Sequence, residues 1–236
     1  MTTDIVIVSY NDRDILKSCI ESIEKNCKNY KIYIEDNNPP NQNNGFTKAV
    51  NNGIKKGESP FIWLLNSDAI VVDENTQQAL IDQFMYSDRV GIVGSQQIDP
   101  ENHDLIRHGG TLSMLPGRHK GGYVSMGHCR FPEKQTWVNG ASMMIRRKMV
   151  NEIGLMDEDL FLLCSDSDYC LTARKNGYEV WYTPYSKVYH RLNASKNVSD
   201  WHKKDMEAFM KKWDIKILPD NNLVFGKEFE KLDRFP

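Results

Sequence analysis

The first 95 residues alternate short strand-like runs with amphipathic segments, and this alternation constrains the fold more than any other feature of the chain. Runs rich in Ile, Val, Leu and Tyr lie at 4–9, 30–35, 61–65 and 90–93. Apolar residues with helical spacing lie between them, at 12–26, 46–56 and 74–85. Strands that alternate with helices favour a mostly parallel sheet covered by helices on both faces. The sequence therefore predicts an α/β fold that binds its ligand at the carboxyl ends of the strands.

Charge and hydropathy exclude some classes of partner. The 236-residue chain has a net charge of −2, whereas proteins that bind a nucleic-acid backbone usually have a marked excess of Lys and Arg. No apolar run approaches the roughly 20 residues that span a bilayer, and a strand pattern begins at Asp4 without the regions of a signal peptide. We therefore expect a cytoplasmic protein without a transmembrane segment, for which peripheral membrane contact stays open.

The second half begins with an irregular stretch at 95–136 that is rich in Gly and Pro. Its part at 103–130, hereafter the basic segment, contains four Lys or Arg residues and four His residues against one acid, Asp104. Long irregular segments of this kind are usually functional, and positive charge suits a mobile loop that closes over an anionic ligand. The alternative is a zinc cluster, although the spacing matches no structural zinc site. Its ligands would be His108, His119, His128 and Cys129.

Regular structure is predicted to resume at 137. We expect strands at 137–145, 179–182 and 187–190, and helices at 147–152 and from 166 onward. A further helix after 199 is predicted to turn five apolar side chains inward, those of Trp201, Met206, Phe209, Met210 and Trp213. We place the main domain at 1–198, with halves at 1–95 and 96–198, and a C-terminal helix and tail at 199–236.

Polar residues follow the first three predicted strands at the point where each strand ends. Ser9, Tyr10 and Asn11 follow the first strand, Asp36 the second, and 66–68 (Asn-Ser-Asp) the third. Parallel strands bring these ends to one edge of the sheet, where oxygen ligands from Asn66 and Asp68 would suit a hard divalent cation. An Asx turn that caps the next helix is the alternative for an isolated Asn-x-Asp.

In this order and spacing, the segments resemble the inverting family 2 glycosyltransferases of GT-A fold, especially the rhamnosyl- and galactofuranosyl-transferase-like members. The supporting segments are 5–11, 36–37, 43–54, 66–68, 138–141 and 157–190. The resemblance covers residues 4–195 and implies a Rossmann-like, mostly parallel sheet with helices on both faces. It also implies a metal-dependent transfer of a sugar, with inversion, from a nucleotide-diphosphate donor to the hydroxyl of a saccharide or glycoconjugate acceptor.

The resemblance assigns donor binding to the first half of the domain, 1–95. The implied donor-binding residues are Ser9, Tyr10, Asn11, Asp36, Gly45, Asn51, Asn66, Ser67 and Asp68. Gly45 allows a tight entry to a helix whose first amides can approach a phosphate. The basic segment would close over the diphosphate of the donor.

Catalysis and acceptor binding are assigned to the second half, 96–198. The resemblance makes Asp166 the general base, whereas Asp168 at the start of the helix is expected to cap backbone amides. The acceptor residues would be Trp137, Asn139 and Asp166. Asp68 and His190 would bind the metal, Mn²⁺ or Mg²⁺, and the imidazole favours manganese.

The sequence departs from the family pattern in three places, one of which is the short connection at 37–42 after the second strand. Asn66 stands where a first aspartate is common, and Ser165 stands where an acid often precedes the base. A nucleotide-sugar-binding protein with weak or no turnover is therefore an alternative. A sugar transferase that acts on nucleic acid is a second alternative, because the basic segment could contact a phosphate backbone.

Overall fold

The computed structural model describes residues 1–10, 13–38, 41–113, 118–120, 124–125, 129–190, 200–219 and 222–233. Its strands are β1 (Thr3–Ser9), β2 (Tyr30–Asp36), β3 (Phe61–Leu65), β4 (Ile70–Val71), β5 (Val90–Ile98), β6 (Leu105–His108), β7 (Thr111–Ser113), β8 (Arg118–His119), β9 (Val124–Ser125), β10 (Glu133–Lys134), β11 (Ser142–Arg146), β12 (Glu179–Tyr189), β13 (Lys216–Ile217) and β14 (Leu223–Val224). Its helices are α1 (Arg13–Asn26), α2 (Phe46–Lys56), α3 (Thr76–Phe84), α4 (Arg147–Ile153), α5 (Ser165–Lys175), α6 (Asp200–Lys212) and α7 (Lys227–Asp233).

The central sheet has the strand order β2-β1-β3-β11-β5-β12-β10. β1 pairs in parallel with β2 and β3, and β12 pairs in parallel with β5. β11 is antiparallel to both of its neighbours, β3 and β5. The predicted α/β fold with a mostly parallel sheet is confirmed, and the sequence did not reveal that an antiparallel strand divides it.

Helices cover both faces of this sheet, as the alternation of elements predicted. Successive side chains of β1 enter opposite hydrophobic clusters, because side chains along a strand alternate between its two faces. Ile5 and Ile7 pack on the side of Ile23 from α1, whereas Val6 packs on the side of Ile54 from α2. All five side chains are 0% or 1% exposed.

The predicted break at Ser95 is wrong, because β5 continues to Ile98 and is buried throughout. Its polar residues are accommodated by hydrogen bonds between side chains. The Ser95 hydroxyl lies 2.7 Å from those of Ser142 and Ser186, and Gln96 donates to the Tyr182 hydroxyl at 2.7 Å. A buried polar group of this kind is stable only when it has such partners.

β12 is one strand rather than the two predicted at 179–182 and 187–190. It pairs with β5 along most of its length, and its register shifts between Thr183 and Lys187. The alternation of residues typical of a strand is interrupted at this irregularity, so the sequence predicted two strands, although the strand itself continues.

The C-terminal segment packs into the same hydrophobic cluster as α5. Phe209 and Trp213 are buried as predicted, together with Tyr169 of α5. Trp201, which was predicted to face inward, is 44% exposed, and its ring stacks on that of Phe161 at 4.3 Å. Among the described residues, no helix is both long enough and apolar enough to cross a membrane.

Candidate functional site

The ends of β1 and β2 form the first part of the site. Ser9 and Asp36 lie opposite each other in the strand register, and the buried Asn38 joins them. The Asn38 amide donates to Ser9 Oγ at 3.0 Å and to Asp36 Oδ1 at 2.7 Å. The sequence reading missed Asn38, since an Asn before two prolines reads only as a turn. Tyr10 is 49% exposed beside this pair, and Asn11 lies outside the described residues.

Gly45 and Asn51 connect the donor segment to the chain at 156–161. Gly45 has φ 86°, and a Cβ there would lie 2.6 Å from the Phe161 ring. The buried Asn51 donates to the Met156 carbonyl at 2.8 Å and accepts from the Met156 N–H at 3.1 Å. The first amide of α2, that of Phe46, donates to the Phe161 carbonyl at 2.8 Å. Both predicted donor residues therefore hold the segment that leads to Asp166.

Asp68 and His190 meet at the carboxyl end of β3. Asp68 Oδ1 lies 3.4 Å from His190 Nε2, and the side chains are 27% and 7% exposed. The Asn66 amide nitrogen also lies 3.4 Å from His190 Nε2. Ser67, which lies between Asn66 and Asp68 in the chain, is buried. The structure thus brings together the two side chains that were predicted to bind the metal.

A carboxylate and an imidazole that face each other fit a divalent cation such as Mn²⁺. Among the described residues, no group of three or more His, Cys, Asp and Glu side chains is arranged to hold an ion. Asp68 and His190 would therefore supply two ligands. The diphosphate of a bound nucleotide and water would supply the others, as is usual where a divalent ion binds together with phosphate.

Asp166 lies in the first turn of α5. Cys164, two residues before Asp166, has φ 60°. This left-handed conformation is strained for any residue other than glycine. Asp166 Oδ2 accepts the Gly140 N–H at 2.8 Å, and Oδ1 accepts the Ser167 N–H at 2.7 Å. Burial raises the pKa of Asp166, and these backbone hydrogen bonds oppose the rise. A like-charged neighbour at position 165 would also raise this pKa, but burial alone raises it here although that position is Ser165.

Asp168 has a structural environment, although its partners are not the backbone amides that were expected. Its carboxylate is 2% exposed and accepts from Lys212 Nζ at 2.8 Å and from the Trp213 indole at 2.9 Å. Lys212 also pairs with Asp157 at 2.8 Å, and the two carboxylates raise the pKa of its ammonium group. Asp168 thus fixes the end of α6 against α5.

Asn139 and Trp137 lie in the chain that precedes β11. Asn139 Oδ1 accepts the Ala141 N–H at 3.0 Å and the Gln97 amide at 2.9 Å. Trp137 is 6% exposed and packs edge to face on His119, with ring centroids 5.3 Å apart. Asn139 therefore lies next to Gly140, which holds Asp166. Trp137 instead packs against His119 of the basic segment.

The basic segment contains two histidines in direct contact. His108 Nδ1 lies 2.8 Å from His119 Nδ1, and burial lowers the pKa of both imidazoles. His128, the third residue of the alternative zinc cluster, lies outside the described residues. Two of the four basic side chains are neutralised, because Arg107 pairs with Asp99 and Lys120 pairs with Glu133.

A family model described as glycosyltransferase like family 2 matches residues 1–207. The chain belongs to glycosyltransferase-like family 2. The O-antigen biosynthesis protein RfbC of Myxococcus xanthus is 27% identical to this family 2 chain over 158 residues, which are 63% of the chain and 12% of RfbC. The family 2 chain therefore spans a small part of that relative's length.

Solved glycosyltransferases share the fold of this family 2 chain. GalNAc-T7, solved with UDP, GalNAc and Mn²⁺, superposes with a TM-score of 0.69 at 15% identity over 90% of the chain and 48% of GalNAc-T7. The mannosyltransferase PcManGT of Pyrobaculum calidifontis, solved with GDP-Man and Mn²⁺, gives 0.62 at 9% identity over 98% of the chain and 67% of PcManGT. These neighbours confirm the GT-A fold that the sequence predicted.

Proposed function

We propose that this chain transfers a sugar from a nucleotide-diphosphate donor to an acceptor hydroxyl with inversion, and that Asp166 is the general base. One observation carries the proposal, namely a continuous path of contacts from the metal-ligand pair to the base. His190 contacts Asp68 at 3.4 Å and Gln97 at 3.0 Å, and Gln97 donates to Asn139 at 2.9 Å. The next residue, Gly140, holds Asp166 at 2.8 Å.

The donor end of this path lies at the ends of β1, β2 and β3. Ser9, Asp36 and Asn38 form the polar group that we propose contacts the nucleobase and ribose of the donor. Asp68 and His190 would hold a divalent cation, Mn²⁺ or Mg²⁺. Bound there, the cation would act as a Lewis acid that stabilises negative charge on the departing diphosphate. The Mn²⁺ in GalNAc-T7 and PcManGT supports this assignment.

The acceptor end is formed by Asp166 and by the turn that contains Asn139. The two backbone N–H groups fix the direction of the carboxylate, so that it can meet an acceptor hydroxyl in one orientation. Its raised pKa makes it a better proton acceptor than an exposed aspartate. Attack from the side opposite to the departing diphosphate inverts the anomeric carbon in a single displacement.

The proposed acceptor is a saccharide or glycoconjugate. The relative RfbC is named for O-antigen biosynthesis, and this name supports an acceptor of that class. None of the relatives described above is named for an action on nucleic acid. Asn139 and Trp137 stay predictions for acceptor binding, and the buried Trp137 would need its cover to move before it could stack on a sugar.

The test is a transfer assay with a panel of nucleotide sugars, Mn²⁺ and saccharide acceptors, comparing the wild type with Asp166→Asn. We expect Asp166→Asn to keep donor binding and to lose transfer by about 10²- to 10⁴-fold. Asp159→Asn, an exposed acid of the same segment, is the matched control and should transfer normally. Full turnover in Asp166→Asn would place the base elsewhere. Donor binding without transfer or hydrolysis in the wild type would instead establish a nucleotide-sugar-binding protein.

A further inference from the structure

Gln97 is a buried polar residue whose side-chain amide makes one contact through its oxygen and another through its nitrogen. It lies on β5, in the middle of the sheet, and is 0% exposed. Its Oε1 is 3.0 Å from His190 Nδ1, and its Nε2 is 2.9 Å from Asn139 Oδ1. It therefore lies between a proposed metal ligand and the turn that holds the base. An apolar residue would be the ordinary choice for this position in a buried strand.

The backbone fixes which way this amide points. The Ala141 N–H can only donate, and it contacts the Asn139 side chain at 3.0 Å, so the atom that accepts there is the amide oxygen. The Gln97 atom that shares this oxygen must then be the donor, Nε2. The other Gln97 atom, the oxygen, is consequently the one that faces His190.

The orientation of Gln97 in turn sets the tautomer of His190. An amide oxygen only accepts, so His190 Nδ1 carries the hydrogen and donates it to Gln97. In the neutral imidazole, Nε2 then carries the lone pair, which can accept from the Asn66 amide at 3.4 Å or bind a cation beside Asp68, also 3.4 Å away. Metal-binding histidines usually donate their second N–H to a carbonyl or carboxylate in this way.

We propose that Gln97 is a positioning residue that sets His190 in the tautomer needed for metal binding and ties it to the Asn139 turn beside Asp166. The inference rests on the proposed metal role of Asp68 and His190. It assigns Gln97 two separable functions. Its oxygen prepares the metal ligand, and its nitrogen fixes the distance between the metal site and the base.

The test compares Gln97→Leu with Gln96→Leu. Gln96 is the adjacent residue of the same strand, is 3% exposed, and donates to Tyr182 at 2.7 Å on the other side of the strand. Both variants lose one buried amide of the same size. Gln97→Leu removes the contacts with His190 and Asn139, whereas Gln96→Leu removes the contact with Tyr182. A difference between them therefore reports contact with His190 rather than the cost of burying Leu.

Two measurements are made on each protein. The first is the dissociation constant for Mn²⁺ alone, from the electron paramagnetic resonance signal of free Mn²⁺. We expect Gln97→Leu to weaken binding by about 10- to 100-fold and Gln96→Leu to bind like the wild type. The second is the ¹⁵N NMR spectrum of the metal-free imidazoles, in which the His190 signals are assigned by their loss in His190→Ala. We expect the Nδ1–H tautomer in the wild type and Gln96→Leu, and a mixture in Gln97→Leu.

Equal Mn²⁺ affinity and an unchanged His190 tautomer in the two Leu variants would overturn the inference. Absence of Mn²⁺ binding in the wild type would overturn the metal part of the proposed function, and the NMR comparison would still decide whether Gln97 sets the tautomer. If Gln97→Leu does not fold, Gln97→Glu replaces it. Its carboxylate can accept from His190 but cannot donate to Asn139, so the tautomer and Mn²⁺ binding should persist while kcat falls.

Discussion

Gly140 donates its backbone N–H to Oδ2 of Asp166 at 2.8 Å. Because the donor is a main-chain group, only proline at position 140 would remove it, but any Cβ at this position would change its surroundings. That Cβ would lie 3.2 Å from Asp166 Cβ and 3.5 Å from Oδ2. The proposed base is thus held by a residue that also leaves room for it.

Gly140→Ala is expected to lower kcat by about 10-fold or more, because small displacements of a reacting group are costly. The donor KM should change little, since Ser9, Asp36 and Asp68 lie on other elements. Gly154→Ala is the control. It is strained by its φ of 89° but meets no atom within 4 Å, so it should lower the melting temperature without lowering kcat. Equal losses of kcat in both variants would contradict the geometric explanation.

The pH dependence of kcat should report Asp166. Burial raises the pKa of this carboxylate, so activity should fall on the acid side with an inflection above the ordinary aspartate value of about 3.9. Activity requires the deprotonated form and therefore rises with pH through that inflection. A pH–rate profile with a fixed donor and saturating Mn²⁺ measures it. An acid limb at or below the ordinary value would contradict the assignment.

Asp205 of α6 holds the chain just before Asp166. Its buried carboxylate accepts three successive N–H groups, those of Phe161, Leu162 and Leu163, at 2.7 to 2.8 Å. Asp205→Ala should reduce the free energy of unfolding by about 2–3 kcal/mol, because buried donors lose a charged partner. It should also lower kcat. Glu207→Gln, an exposed change on the same helix, should affect neither quantity.

Lys212 is expected to matter for stability rather than for chemistry. Lys212→Met leaves the buried Asp168 carboxylate with the Trp213 indole as its remaining contact among those described above. Breaking a buried ion pair costs about 3–5 kcal/mol. We expect about 2 kcal/mol here, since the Lys212 side chain is 34% exposed. Lys211→Met on the same helix is the control, and an unchanged unfolding midpoint for Lys212→Met would show that Asp168 does not depend on the pair.

Arg118 is an exposed cation of the basic segment, and its role can be tested by charge reversal. If the segment closes over the donor diphosphate, Arg118→Glu should raise the donor KM several-fold and leave kcat nearly unchanged. Lys120 is a poorer probe because it already pairs with Glu133. Lys31→Glu, on the exposed edge strand β2, controls for a change in net charge. An equal KM for Arg118→Glu and Lys31→Glu would contradict closure.

Local periodicity predicted the first half of the fold well. The bounds of α2 and β3 agree with the sequence prediction, because apolar spacing alone defines an amphipathic helix and a buried strand. Prediction failed where distant partners decide the structure. The polar end of β5 is buried only because Ser142, Tyr182 and Ser186 supply hydrogen bonds, and no local pattern reveals them.

The candidate site was predictable to the same extent. Asp68 was predicted from its place just after a clearly marked strand, and the family resemblance added Asp166 and His190. Gln97, Asn38 and Asp205 were missed, since a single polar residue in a strand, turn or helix has no signal until its partner is known. The residues that support the candidate site through hydrogen bonds are therefore identified from the structure rather than from the sequence.

The pairing of Asp68 with His190 has a consequence for how the protein folds. Asn66 and His190, which also meet there, are 124 residues apart in the sequence. Contacts of such high sequence separation form late, because the entropy of closing a long loop must be overcome first. A chain whose last sheet strand, β12, has not docked can hold a largely formed first half, residues 1–95, without the proposed cation site. Mn²⁺ would then bind only the completed fold, and its binding would serve as a specific reporter of the final folding step.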